Sequence, residues 1–100
     1  MWKDEFYVTE LQEYELYFET IVVGDRMFMT IDISKYADCD IFVRFYSTHF
    51  VIWIRGSPLE VNYPKGIVID PDSVVRVRRN GLIDVEAKVV RKSSFFSLIF

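Results

Sequence analysis

Apolar and polar residues alternate with a period of two along most of this chain, the repeat of strands that bury one face. The alternation is clearest from Ile67 to Lys88, IVIDPDSVVRVRRNGLIDVEAK. Val75 and Val77 alternate with Arg76 and Arg78; beyond Arg79-Asn80-Gly81, Ile83, Val85 and Ala87 alternate with Asp84 and Glu86. The pattern predicts a β-hairpin. Directly opposed residues share a face, so a two-residue Asn80-Gly81 loop sets Val77 against Asp84 and Arg76 against Val85. A three-residue loop with a left-handed Gly81 instead pairs Val77 with Ile83, Val75 with Val85 and Arg76 with Asp84. That register gives one apolar face and one charge-paired face, and it is the expectation.

The same reading runs through the rest of the chain. Met27, Met29, Ile31 and Ile33 alternate with Phe28, Thr30 and Asp32 after a turn at Gly24-Asp25. Upstream, Tyr7, Leu11, Tyr14, Phe18 and Ile21 fit helical spacing, while Tyr14, Leu16 and Phe18 also alternate with Glu13, Glu15 and Glu19. The Tyr, Phe, Ile and Val content and the missing N-cap favour strands, about Tyr14 to Val22 and a shorter one from Phe6 to Leu11. Ile41 to Tyr46 and Phe50 to Arg55 predict a second hairpin about Ser47-Thr48-His49. Gly56-Ser57-Pro58 ends it, and Leu59 to Tyr63 forms one more short strand. Seven or eight short strands without a convincing helix imply an all-β, antiparallel, immunoglobulin-like sandwich, with a small barrel as the competing architecture.

The second hairpin is apolar on both faces. If Ile41, Val43 and Phe45 join Phe50, Ile52 and Ile54 in the core, then Phe42, Tyr46, Val51 and Trp53 point the other way, where a half-exposed sheet is ordinarily polar. Something is expected to cover them: the chain's own aromatic N-terminal segment or its C-terminal FFSLIF (Phe95 to Phe100), a second subunit, or a client. Cover by the chain's own termini is the plainest expectation.

Composition bounds the rest. One hundred residues make a single domain, with the core at about 14–92 and an apolar tail at 93–100; 51% apolar and 17% aromatic content argues against disorder. The lone Cys39 and the lack of a charged-then-apolar leader favour a reducing, cytoplasmic setting, and the apolar runs are too short to span a bilayer as helices. The net charge of −3 is unevenly spread. Residues 1–25 hold seven acids against Lys3, a balance of −6, whereas residues 76–92 hold six bases against two acids, a balance of +4. Such asymmetry suits self-association or an acidic partner, although a solvated rim paired within the domain is the simpler expectation.

Candidate chemistry is sparse. His49 and Cys39 have no partners at ligand spacing, so neither a zinc site nor a nucleophile–base pair is expected, and no metal or cofactor. Asp70 and Asp72 flank Pro71 as turn formers rather than as a catalytic pair. No glycine-rich phosphate loop is present, and an enzyme is the least expected class. Arg76, Arg78 and Arg79 are the one feature reminiscent of nucleic-acid binding. With Arg76 opposite Asp84 and the aromatic residues on another hairpin, nucleic acid is not the expected ligand.

From about Tyr17 to Lys92 the chain resembles the α-crystallin domain of the small heat-shock proteins. The likeness lies in MFMTIDISKYADCDIFVRF (Met27 to Phe45), in Ile52-x-Ile54-x-Gly56, and in the strand, Asn-Gly turn, strand and closing lysine of IDPDSVVRVRRNGLIDVEAK. The resemblance implies a stress-response chaperone that binds exposed apolar segments without ATP. Two departures matter. Arg76 stands five positions before the hairpin glycine, where that family usually has a small residue. Only Gly56-Ser57-Pro58 follows the fifth strand, too short for the family's strand-exchange dimer, and in this the chain is similar to the CS-domain co-chaperones.

The expected function is thus a non-enzymatic chaperone or co-chaperone module whose partners are unfolded or partner protein segments. Client contacts are expected at Phe42, Tyr46, Val51 and Trp53, and at Val74, Val75 and Val77 beside a groove; Leu98, Ile99 and Phe100 are an approximate analogue of a docking tail. The alternatives are a structural subunit of a specific complex or homo-oligomer and, less expected, an oligonucleotide-binding barrel.

Overall fold

The computed structural model describes residues 5–11, 16–36 and 38–92, with side chains for residues 16–36 and 38–91. Among these residues the chain forms nine strands: β1 (Glu5–Leu11), β2 (Leu16–Val23), β3 (Arg26–Asp32), β4 (Ile41–Phe45), β5 (His49–Ile54), β6 (Ser57–Asn62), β7 (Ile67–Ile69), β8 (Val75–Arg79) and β9 (Leu82–Lys92). Every pairing is antiparallel. The larger sheet runs β1-β2-β3-β9, and the far side of β9 is shared by β8 along its first half and β7 along its second. The smaller sheet is β4-β5-β6.

The all-β antiparallel sandwich expected from the alternation is what the chain adopts. The doubly periodic opening segment resolves as strands β1 and β2, because Leu16, Phe18, Thr20 and Val22 all reach the core at every second position. With them on the larger sheet are Met27, Met29, Ile31, Ile83, Val85, Ala87 and Val89, facing Val43, Phe50, Ile52, Ile54 and Val61 of the smaller one. Phe18 meets Phe50 edge-on across the sandwich at 5.7 Å between ring centroids. Tyr63 is buried beside them, and its hydroxyl donates to the Tyr46 carbonyl at 2.7 Å, so the one polar atom it carries inward is satisfied. Burial pushes its phenol above the ordinary tyrosine range, against the opposing pull of that hydrogen bond.

The principal correction concerns the last hairpin. Asn80 and Gly81 have φ of +46° and +79°, the two left-handed residues of a two-residue type I′ loop. The pairs are Arg79 with Leu82, Arg78 with Ile83, Val77 with Asp84, Arg76 with Val85 and Val75 with Glu86. Each β8 side chain therefore stands on the face opposite to the one expected. The apolar pattern of both arms implies buried valines on each, and only β9 buries its own, at Val85. β8 lies at the rim of the larger sheet, and all five of its residues are exposed. A second, smaller correction is that Arg55-Gly56 forms the turn after β5, so Ser57 and Pro58 already belong to β6. Pro58 is tolerated because β6 is an edge strand.

Gly81 is required twice over. A side chain there would be strained at φ +79°, and its Cβ would lie 3.1 Å from both Cα and Cβ of Ser34. Ser34 has little room to retreat. Its Oγ and N–H both donate to Asp32, at 2.6 and 2.9 Å, and hold that carboxyl below its usual pKa. Gly24, at φ +60°, has nothing within 4 Å of its equivalent position. In urea denaturation Gly24→Ala is expected to lose about 1–2 kcal/mol from backbone strain alone, and Gly81→Ala at least about 1 kcal/mol more from overpacking. Equal losses would show that the Ser34 contact relaxes freely.

Candidate functional site

The two sheets leave a groove between their facing edges, β4 and β8. Three adjoining hollows of about 280, 290 and 390 Å³ follow β4, and Phe42 lines all of them. The groove runs from Pro71 and Val74 at one end, past Val43, Arg76 and Arg78, to Trp53, Gly56 and Cys39 at the other.

The backbone pattern of β4 explains why this edge is open. Tyr46 N–H donates to His49 O at 2.8 Å, and Arg55 N–H donates to Asp40 O at 3.3 Å. The even-numbered residues of β4 are thus those that exchange hydrogen bonds with β5. Antiparallel ladders alternate, so Ile41, Val43 and Phe45 aim their N–H and C=O groups at the open side. By the same alternation Arg76 and Arg78, set between the bonded residues of β8, aim theirs outward too. A side chain joins the two edges: the Arg76 guanidinium donates to the Val43 carbonyl. It also lies over the Phe45 ring, 5.8 Å from the centroid. The two edges belong to different sheets and are not paired as a ladder, and an arginine bridges them.

The outer face of the smaller sheet adjoins this groove. Phe42 is 56% exposed and packs against the half-buried Trp53 with centroids 5.3 Å apart. Further along the same face Arg44 lies 5.8 Å from the Tyr46 ring centre, and Tyr46 stacks on His49 at 4.9 Å. His49 Nδ1 is 3.0 Å from the Thr48 hydroxyl. At the far end of the groove Arg55 Nε donates to Cys39 Sγ at 3.2 Å, an interaction that pushes the Arg55 pKa further up.

Of the residues anticipated from sequence, Phe42, Trp53 and Val74 meet at the groove, with Val74 also packed against the core. Tyr46 and Val51 share the outer face of the smaller sheet but do not line the groove. Val75 and Val77 are not beside it. The two-residue turn carries them to the outer face of the larger sheet, where they are 62% and 54% exposed. Leu98, Ile99 and Phe100 lie outside the described residues. The N-terminal segment offers no cover to Phe42 and Trp53 through β1, which pairs with β2 on the opposite sheet.

Two groove residues, Arg76 and Arg78, were missed as binding residues. The signal that finds them is Asn80-Gly81 itself, a strong two-residue hairpin sequence, which places both arginines on the face of Ile83 and Val85. Arg76 is not paired with Asp84, as expected; that carboxylate is held by Arg79, at 2.9 Å from Nε and 2.7 Å from an Nη, and accepts from Thr30 Oγ1 at 3.1 Å. Among the described residues neither Arg76 nor Arg78 makes an ion pair. Among the described residues the groove walls therefore carry Arg44, Arg76 and Arg78 against the carboxylate of Asp40, in a protein of net charge −3.

Among the described residues no group of three or more His, Cys, Asp or Glu is arranged to hold a metal ion, and no helix is long and apolar enough to cross a membrane. Asp70 and Asp72 are turn residues: the Asp70 carboxylate accepts from Asp72 N–H at 3.0 Å at the start of a short 3-10 turn, Pro71–Ser73. No protein-family model, curated protein or solved structure matches the chain.

Exposure separates the groove from the core energetically. Phe50→Ala, at a fully buried ring, is expected to cost about 3–5 kcal/mol. Phe42→Ser, at an exposed ring, is expected to stay within about 0.5–1 kcal/mol of the parent in the same denaturant titration. A loss at Phe42 equal to that at Phe50 would mean that the groove wall is part of the core.

Proposed function

We propose that this protein is a non-enzymatic, ATP-independent binding module that accepts an extended apolar segment of another polypeptide along β4, in the manner of a small heat-shock chaperone or co-chaperone. The observation that carries the reading is the coincidence of an open strand edge with exposed aromatic surface: Ile41, Val43 and Phe45 offer backbone donors and acceptors, and Phe42 and Trp53 stand beside them. Edges of this kind are usually blunted by proline, charge or a covering element. β6, the other edge of the smaller sheet, carries Pro58 and Glu60, whereas among the described residues no strand pairs with the outer side of β4.

Strand addition suits a client without fixed sequence. Backbone hydrogen bonds supply sequence-independent affinity, and burial of apolar side chains adds about 25 cal/mol per Å² removed from water. No bond is made or broken, so neither a nucleotide nor a metal is needed. The likeness of Met27 to Phe45 and of Ile69 to Lys88 to α-crystallin domains points the same way, and the single cysteine suits a cytoplasmic protein.

A second reading, a structural subunit of a specific complex, draws on the outer face of the larger sheet, where Val75, Val77 and Phe28 are exposed. One experiment separates the two. At equimolar ratio the protein is expected to suppress light scattering from a heat-denatured test enzyme; Phe42→Ser is expected to lose most of that protection, and Val77→Asp to retain it. Unchanged scattering with the parent protein contradicts the chaperone reading, and loss with Val77→Asp alone moves the interface to the larger sheet.

A further inference from the structure

Resting on the proposal that β4 accepts an extended segment, we infer that the segment is acidic: a strand of partner polypeptide with the pattern acid–apolar–acid, its two carboxylates meeting Arg76 and Arg78 and its central apolar side chain meeting Phe42 and Trp53.

The geometry follows from the corrected register. Arg76 and Arg78 are two positions apart on β8 and share the Ile83/Val85 face, so their side chains leave the strand about 6.8 Å apart at 3.4 Å per residue. Alternate side chains of any strand lying along the groove have that same spacing. Residues i and i+2 of a segment added to β4 then stand opposite the two guanidinium groups, and residue i+1 turns to the opposite side, toward the aromatic face of the smaller sheet. Arginine forks suit carboxylates better than they suit backbone carbonyls. Arg76 now spends one donor on the Val43 carbonyl, an edge group that an added strand would occupy itself. Entry of the segment exchanges that bond for a charge-assisted one and frees the β4 edge for pairing.

Charge complementarity fixes the sign of the occupant. Among the described residues three arginines and one aspartate line the hollows. A lysine-bearing segment meets like charge at both arginine positions. Protein is favoured over single-stranded nucleic acid because the open backbone of Ile41, Val43 and Phe45 is a template for a peptide strand and has no counterpart in base stacking.

The test uses the full chain and three fluorescein-labelled peptides with the same valine and leucine residues, alternating with glutamate, serine or lysine, titrated by fluorescence anisotropy. The glutamate peptide is expected to bind at least tenfold tighter than the serine peptide, with an advantage that shrinks as salt rises, and the lysine peptide to bind weakest. Arg78→Glu is expected to reverse the glutamate–lysine order, and Arg78→Gln to reduce the advantage of the glutamate peptide over the serine peptide severalfold. Both changes lie at an exposed edge position, and a parent-like thermal melt confirms folding. Equal affinity for the glutamate and serine peptides overturns the acidic preference and leaves strand binding standing. Absence of binding by all three overturns both. A labelled oligothymidylate that binds tighter than the glutamate peptide replaces the partner with nucleic acid. Self-association that Arg78→Glu abolishes would replace it with a second copy of this chain, whose own sequence carries Glu13-Tyr14-Glu15.

Discussion

The left-handed pair Asn80-Gly81 determines which side of β8 each residue occupies, and the character of the groove follows from it. Side chains alternate strictly along a strand, so a loop one residue longer would turn Val75 and Val77 to the groove and Arg76 and Arg78 to the outer face. With two residues in the loop, Arg76 reaches across to the β4 carbonyl of Val43 and Asp84 is left to Arg79. The loop is held against the segment that follows β3: Ile33 N–H donates to Gly81 O at 2.8 Å, and Ser34 closes the space where a Cβ would project. A few ångströms of turn geometry thus decide whether the groove is greasy or cationic.

Much of the fold is legible in the sequence because its core strands bury one face completely. Met27, Met29 and Ile31, or Phe50, Ile52 and Ile54, leave no freedom in which side faces inward, since a slip of one residue would expose the whole set. Even the doubly periodic stretch reads correctly over its described residues, Leu16 to Ile21, once β-branched and aromatic content is weighed beside period. β8 has no such constraint. Its valines cover nothing in the core, its arginines are solvated at the rim, and alternation there records only the two sides of a strand. Turn chemistry, a purely local property, carried the information that pattern lacked.

The site was half legible for a related reason. Phe42 and Trp53 stood out because a strand pair that is apolar on both faces demands a partner, and they do sit side by side with Phe42 largely exposed. Val74 reaches the groove, while Val75 and Val77 lie on the far side of the sheet. Arg76 and Arg78 lie more than thirty residues beyond β4 in sequence, and no spacing along the chain signals that β8 meets β4; that meeting is a product of the two sheets facing each other over Phe18 and Phe50.

The central claim is that β4 receives a strand, and amide hydrogen exchange at β4 tests it most directly. Ile41, Val43 and Phe45 point their N–H groups to the open edge, and those of Phe42 and Arg44 are already engaged with β5. Addition of a saturating extended peptide is predicted to slow exchange selectively at Ile41, Val43 and Phe45. Unchanged exchange at these three amides while the peptide is bound, with new protection at β1 or β6 instead, would contradict the account.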